Sequence, residues 1–402
     1  MIKEELLHFL WRGHRIPKFG LQTTQGEYVE IISPGTINHL DGPDFSNAKI
    51  RIGGVLWIGP VELHLKSSDW YAHEHQLDER YDPVILHVVL EENEPIYHAG
   101  RRLPCLEIKN YLTNDLVHKY QSLKSCQSTL ACAPYEIPSI QASFFWMRDR
   151  LLVDRFNEKL NISGLKDKSS IYVFYQLLFG ALGAGANKNQ FMDLAGLVNW
   201  SQIERWKNRP ERIYTYIKLL SGIFDHEVRS SKEYSVISSY VKESMLPHIW
   251  NNRQIRPHGR PKQRILEICA LVVHDVFSKL IDSENALTYS ECWYSILEEL
   301  RCGSFSDLRL SDFTLRNIAL NAVAPFAFYR GVQLGDSEWF DFALQHLDEW
   351  PAERNKIVNL YMDKGLEINS GGDSQALLEL YKRYCVSKNC VSCAIGMSLM
   401  RA

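Results

Sequence analysis

No run among the 402 residues approaches the ~20 consecutive apolar positions needed to span a bilayer. The opening "MIKEELLHFLWRG" has acids where a secretion signal needs a basic stretch, so a cytoplasmic protein with no membrane partner is expected. No excess of one charge stands out. The 45 basic and 48 acidic residues leave a net charge of −3, which excludes a generally basic nucleic-acid coat while leaving room for a local basic groove. The nine cysteines are odd in number and scattered, which argues for reduced thiols over a disulfide framework. No repeat of fixed period emerges. A P-loop is missing too: "GALGAGANKNQ" (Gly180 to Gln190) has no lysine followed by serine or threonine, and close helix packing explains its glycines better.

What the chain has is length for more than one core and a change of pattern along it. A short amphipathic helix (Ile2 to Trp11) is followed by alternating segments. "NAKIRIGGVLWIGPVELHLK" reads as a hairpin turning at Gly53 and Gly54 into a long strand, with Pro60 marking a bulge or the start of that strand's paired part. "PVILHVVLE" reads as a strand buried on both faces, and Ser67 to Arg80 as a polar, helical stretch. From about Ile140 the apolar spacing becomes helical. The expected fold is thus an α/β domain with a mixed sheet and flanking helices over residues 1–112, a linker at 113–139, and an all-α domain over 140–402.

The densest chemistry lies between Gly42 and Val89. In an extended strand Glu62, His64 and Lys66 share one face, while Val61, Leu63 and Leu65 face the other. With Asp44 from a neighbouring turn, Glu62 completes a carboxylate pair able to hold Mg²⁺ or Mn²⁺. Lys66 or His64 would then steady an attacking hydroxide or the developing charge. These four are the expected catalytic residues, with Asp44 and Glu62 as metal ligands. Asp69, His73, His75, Asp78 and His87 are possible accessory groups.

This segment resembles the PD-(D/E)XK nuclease superfamily, with Pro43 and Asp44 as the first motif and Glu62 as the second acid. The expected core order of helix, three antiparallel strands, helix and strand is similar as well. The resemblance implies a metal-dependent phosphodiesterase acting on DNA or RNA, and a possible extra metal ligand at Glu5. It departs at Glu62-Leu63-His64, where the superfamily has acid, any residue, lysine. The whole chain is also similar to a family of bacterial proteins found mainly in Bacteroidetes and without established activity, through "PGTINHLDGPDF", "GPVELHLKSSDW", "HEHQLDERYDPVILHVV" and "YCVSKNCVSCAIG".

Two other classes compete with the nuclease reading. One is a non-catalytic nucleic-acid-binding or scaffold protein that keeps the fold. The other is a zinc hydrolase using His73 and His75 with Asp78, or with His64 and His87. On a regular helix His73 and His75 diverge by about 200°, so this reading requires a loop or strand there. Finally, Cys385, Cys390 and Cys393 form C-x₄-C-x₂-C, a spacing suited to zinc or an iron–sulfur cluster. Cys105, Cys126, Cys132 and Cys302 are the options for a fourth ligand. The basic segment Arg253, Arg256, Arg260, Lys262 and Arg264 reads as a solvated loop that could also meet phosphate.

Overall fold

Helix α1 (Glu4–Arg12) forms where Leu6, Leu7, Phe9, Leu10 and Trp11 can be buried along one side, leaving Glu4 and His8, one turn apart, on another. The protein is described by a computed structural model covering residues 2–13, 16–38, 41–136, 140–162, 168–183, 185–253, 255, 259–302 and 309–401. After α1 come β1 (Leu21–Gln22), β2 (Tyr28–Ser33), β3 (Thr36–Ile37), β4 (Phe45–Ile52) and β5 (Val55–Lys66). Next are the single-turn α2 (Asp69–Ala72), two 3₁₀ turns (His75–Leu77 and Glu79–Tyr81) and β6 (Leu86–Glu91). The small β7 (Tyr97–His98) and β8 (Arg101–Arg102) pair with each other, before β9 (Cys105–Glu107) and α3 (Asn114–Ser125).

The sheet order is β1-β2-β4-β5-β6-β9, with β3 added beside β4. Strands β2, β4 and β5 are antiparallel neighbours, whereas β6 is parallel to β5 and β9 parallel to β6. The expected mixed sheet is therefore present. Ile52 faces Val55 across Gly53 and Gly54, both at positive φ, as a two-residue hairpin of this hand requires. Opposite Pro60 the register of β4 skips between Phe45 and Ala48, with Asn47 at φ 56°. That bulge absorbs the residue with no N–H to donate, and pairing of β5 with β6 begins at Val61.

The described residues divide into two compact units, Met1–Met147 with Leu380–Ala402, and Arg148–Glu379. The last segment, expected to close the helical domain, packs instead on the first unit. Val391, Leu399 and Met400 join α1, the sheet and α3 in one buried cluster, because this short tail has its apolar side chains where the sheet unit leaves a face to cover. The stretch expected as linker includes helix α3, whose Leu116, Tyr120 and Leu123 are buried in the same cluster; its residues 137–139 lie outside the described ones.

The second unit is largely helical among the described residues. Arg148 holds its ends together, with Nε donating to Asp373 Oδ1 at 2.6 Å and a terminal nitrogen donating to Asp348. Gly183 and Phe191 show why the glycine-rich segment is there, since a Cβ on Gly183 would stand 2.4 Å from the Phe191 ring. Ala184 of that segment and Arg256 of the basic one lie outside the described residues. Arg264 turns inward to Glu267 at 2.6 Å and Thr314 at 3.1 Å, and Lys262 pairs with Glu227. Among the described residues no helix is long and apolar enough to cross a membrane.

Candidate metal centre

Strand β5 supplies the centre of the site, and at its C-terminal end both faces are covered. Val61 and Leu63 are buried as expected, but Glu62 (5% exposed) and His64 (1%) are buried too. Lys66 differs. It sits exposed at the strand end, where its backbone N–H donates to Asp69 Oδ2 at 2.9 Å. Among the described residues no hydrogen bond or ion pair brings its ammonium to Glu62 or His64.

Asp44 and Glu62 are neighbours, linked through backbone amides. The Asp44 amide donates to Glu62 Oε2 at 2.9 Å, and the Leu63 amide donates to Asp44 Oδ2 at 3.0 Å. From α1, His8 Nε2 lies 3.1 Å from Asp44 Oδ2, an ion-pair distance without the alignment of a hydrogen bond. Burial would lower the His8 pKa, but the carboxylates of Asp44, Glu4 and Glu62 outweigh it and raise it. Glu4 is raised as well, by burial first and Asp44 second. Glu62 is pushed up to about 8, chiefly by desolvation and then by the charge of Asp44.

The imidazoles are drawn together by a break in the helix. Helix α2 ends at Ala72 with His73 as its cap, and Glu74 takes a left-handed conformation at φ 59° before the 3₁₀ turn that begins at His75. This reversal removes the ~200° divergence of a regular helix. His64 Nε2 is 3.1 Å from His73 Nδ1, and Glu62 Oε1 is 3.6 Å from His64 Nε2 and 3.3 Å from His75 Nε2. His64, His73 and His75 each offer a ligand atom within 4.8 Å of the others, an arrangement that can hold a metal ion. His75 Nε2 is buried and has no hydrogen-bond partner. Its ring is clamped by stacking on Tyr81, with centroids 3.8 Å apart, and by the edge of Trp70 at 5.4 Å.

Behind this group His64 Nδ1 is 2.9 Å from Nε2 of the fully buried His87. Burial and neighbouring imidazoles lower His64 to about 2 and His87 to about 3, so both rings are neutral, the form that ligates metal. Bonds of 2.0–2.1 Å to zinc in tetrahedral geometry would hold ligand atoms ~3.3 Å apart. The His64–His73 pair, at 3.1 Å, is close to that spacing, and the three imidazoles lie within 4.8 Å of one another. The donor set is also mostly nitrogen, which suits zinc and its first-row neighbours, whereas Mg²⁺ takes oxygen.

The remaining expected residues divide. Asp69 accepts the Lys66 amide at the start of α2, a structural role. Asp78 is occupied by Arg80, whose side chain and amide both donate to it, and these bonds hold its pKa down to about 2. Glu5 faces away from the site, bonded to the Tyr120 hydroxyl at 2.7 Å and to Lys124 Nζ at 2.6 Å. The helical neighbour that does face Asp44 is Glu4, one residue earlier; Glu4 and His8 escaped the sequence reading, although their four-residue spacing on α1 was visible.

The C-terminal cysteines require a correction. Among the described residues Cys385, Cys390 and Cys393 form no metal-holding group. Cys385 ends a π-helical turn (Tyr381–Cys385), whereas Cys390 opens a 3₁₀ turn and Cys393 follows it, so their spacing in sequence does not carry over into converging sulfurs. The Cys390 thiol is pushed up to about 12 by burial, Cys393 and Cys132. Cys105 is buried in β9, and Cys302 belongs to the second unit.

A family described as "Protein of unknown function (DUF2851)" matches residues 4–356. No curated protein and no solved structure matches the chain.

Proposed function

The chain belongs to this DUF2851 family, and we propose from the site that its first unit is a metal-dependent hydrolase holding Zn²⁺, or a first-row ion of similar preference, on His64, His73 and His75. The observation that carries this reading is the convergence of three imidazoles beside Glu62, with the buried Nε2 of His75 lacking a hydrogen-bond partner among the described residues. A three-histidine site leaves a position for water, which the ion acidifies. Glu62 Oε1, 3.3 Å from His75 Nε2 and 3.6 Å from His64 Nε2, would accept a proton from a water that such an ion acidified. Asp44 holds Glu62 by its amide, and His87 fixes the proton position on His64. The exposed His73 marks the open side.

For the substrate, the order of α1, antiparallel strands, short helices and the parallel β6 supports a phosphodiester, as in the PD-(D/E)XK nucleases that the segment resembles. The metal differs from the Mg²⁺ or Mn²⁺ on Asp44 and Glu62 that this resemblance implies, because the imidazoles outnumber the carboxylates. The test is hydrolysis of bis(4-nitrophenyl) phosphate and of single- and double-stranded oligonucleotides by zinc- or manganese-loaded protein. Cleavage lost by ~100-fold or more in His75→Ala is expected. Bound metal without cleavage of any of these would contradict it.

A second reading has an observation of its own. Glu62 is buried within reach of two of the three nitrogens, and as a fourth ligand it would close a tetrahedral ion in the manner of structural sites. The unit would then be the non-catalytic binding or scaffold protein, and metal would stabilise it without turnover.

A further inference from the structure

The second unit has a cavity of about 1020 Å³ whose lining includes Arg301, Arg309 and Arg316 together with Tyr294, Phe313 and Trp350. Three guanidiniums around one cavity repel each other unless anions lie between them. Two acids also line it, and neither serves all three. Among the described residues Asp312 pairs with Arg301 alone, at 3.5 Å, and Glu349 is taken by the Tyr294 hydroxyl and by His346 Nδ1. Arg309 has no ion pair among the described residues. Arg316 has its Nε buried without a hydrogen-bond partner, and its guanidinium lies over the Phe313 ring at 5.5 Å.

An unpaired buried guanidinium N–H is costly to leave unsatisfied, so a ligand with anionic oxygens is what this wall lacks. A planar fork of donors suits phosphate in particular. Phosphate alone would leave most of the volume unused, since the cavity is at the upper end of the range for small-molecule sites. The aromatic side chains account for the rest. Phe313, even with Arg316 over its ring, is 58% exposed and Tyr294 42%, which leaves ring surface for a flat partner, whereas Trp350 is buried (7% exposed) with Arg301 over it at 5.8 Å. We infer that this cavity binds a nucleotide, its phosphate between Arg309 and Arg316 and its base against Phe313 and Tyr294. The site belongs to a different unit from the metal centre and does not depend on the hydrolase reading.

Calorimetry on the full-length protein with AMP, adenosine and inorganic phosphate as probes tests this. AMP should bind at least roughly tenfold more tightly than either fragment, because only it has both the charge and the ring. Arg309→Gln and Arg316→Gln should each weaken AMP by about tenfold or more. Phe313→Ala should weaken AMP and leave phosphate unchanged. Arg309 and Phe313 are exposed, so their variants should fold, and an unchanged melting curve verifies it. Absence of AMP binding, or binding unaffected by Arg309→Gln and Arg316→Gln, would overturn the inference. So would a ten-residue oligoadenylate binding ~100-fold more tightly than AMP, which would mark an extended nucleic-acid track instead of a pocket.

Discussion

Asp44 and Glu62 hold each other through the backbone: the Asp44 amide donates to Glu62 at 2.9 Å, and the amide next to Glu62, that of Leu63, donates to Asp44 at 3.0 Å. Two carboxylates that would repel are thereby locked side by side, and burial first, with the charge of Asp44 second, raises the Glu62 pKa. Alanine at position 44 keeps the amide that donates to Glu62 but removes the carboxylate that accepts from Leu63, which opens one half of the lock. Asp44→Ala is expected to reduce zinc affinity by about 10- to 100-fold, the usual effect of losing a group that orients a metal site. Competition with a chromophoric chelator measures it, and an affinity equal to wild type would show that Asp44 plays no part.

The left-handed Glu74 is what turns His73 and His75 toward one point. A non-glycine residue there is strained by roughly 1–2 kcal/mol, so Glu74→Gly should raise the melting temperature of metal-free protein and keep metal binding. Glu74→Val, β-branched and unsuited to φ 59°, should lower both. Thermal unfolding with and without one equivalent of zinc distinguishes the two effects.

In metal-free protein the Glu62 carboxyl has a folded pKa of about 8 against an ordinary value of 4.5. Its neutral form is favoured by the fold, so the stability it supports is fully present below pH 4.5 and is lost as pH rises through 8. His64 and His87 act in the opposite sense. Their folded values of about 2 and 3 lie below 6.5, so the stability that they support is present above pH 6.5 and lost as pH falls. Denaturant titrations should therefore find Glu62→Gln gaining on wild type from pH 5 to 8, by at most about 1.4 kcal/mol per pH unit. A difference independent of pH would show that Glu62 is not perturbed, and zinc should erase the gain by giving the carboxylate a cation.

Local chemistry was legible wherever local pattern decides structure. The hairpin at Gly53 and Gly54, the bulge opposite Pro60 and the meeting of Asp44 with Glu62 all follow from residues close in sequence or on adjoining strands. The imidazole cluster was visible only as composition, because its geometry depends on one backbone reversal at Glu74 that no periodicity announces. The resemblance pointed to Glu5, and Glu4 escaped notice, because a helix face cannot be assigned before its neighbours are known, and one residue is 100° of rotation. The tail residues Val391, Leu399 and Met400 reach their core across nearly the whole chain, a contact that spacing alone cannot encode.

The cysteine motif offers a clean contrast between spacing and geometry. Because Cys385, Cys390 and Cys393 form no metal-holding group among the described residues, replacing all three with alanine should leave zinc stoichiometry unchanged. Some loss of stability is expected, since Cys393 is buried. Elemental analysis of the refolded variant checks this, and loss of the bound metal would reinstate the cysteines as ligands.

Zinc K-edge absorption spectroscopy of the full-length protein loaded with one equivalent of Zn²⁺ tests the central assignment most directly. The site described here should give nitrogen and oxygen scatterers at about 2.0–2.1 Å, with the outer-shell signature of three imidazoles and no sulfur. Sulfur at about 2.3 Å, or an ion surrounded by water oxygens with no imidazole signature, would contradict a centre built on His64, His73 and His75.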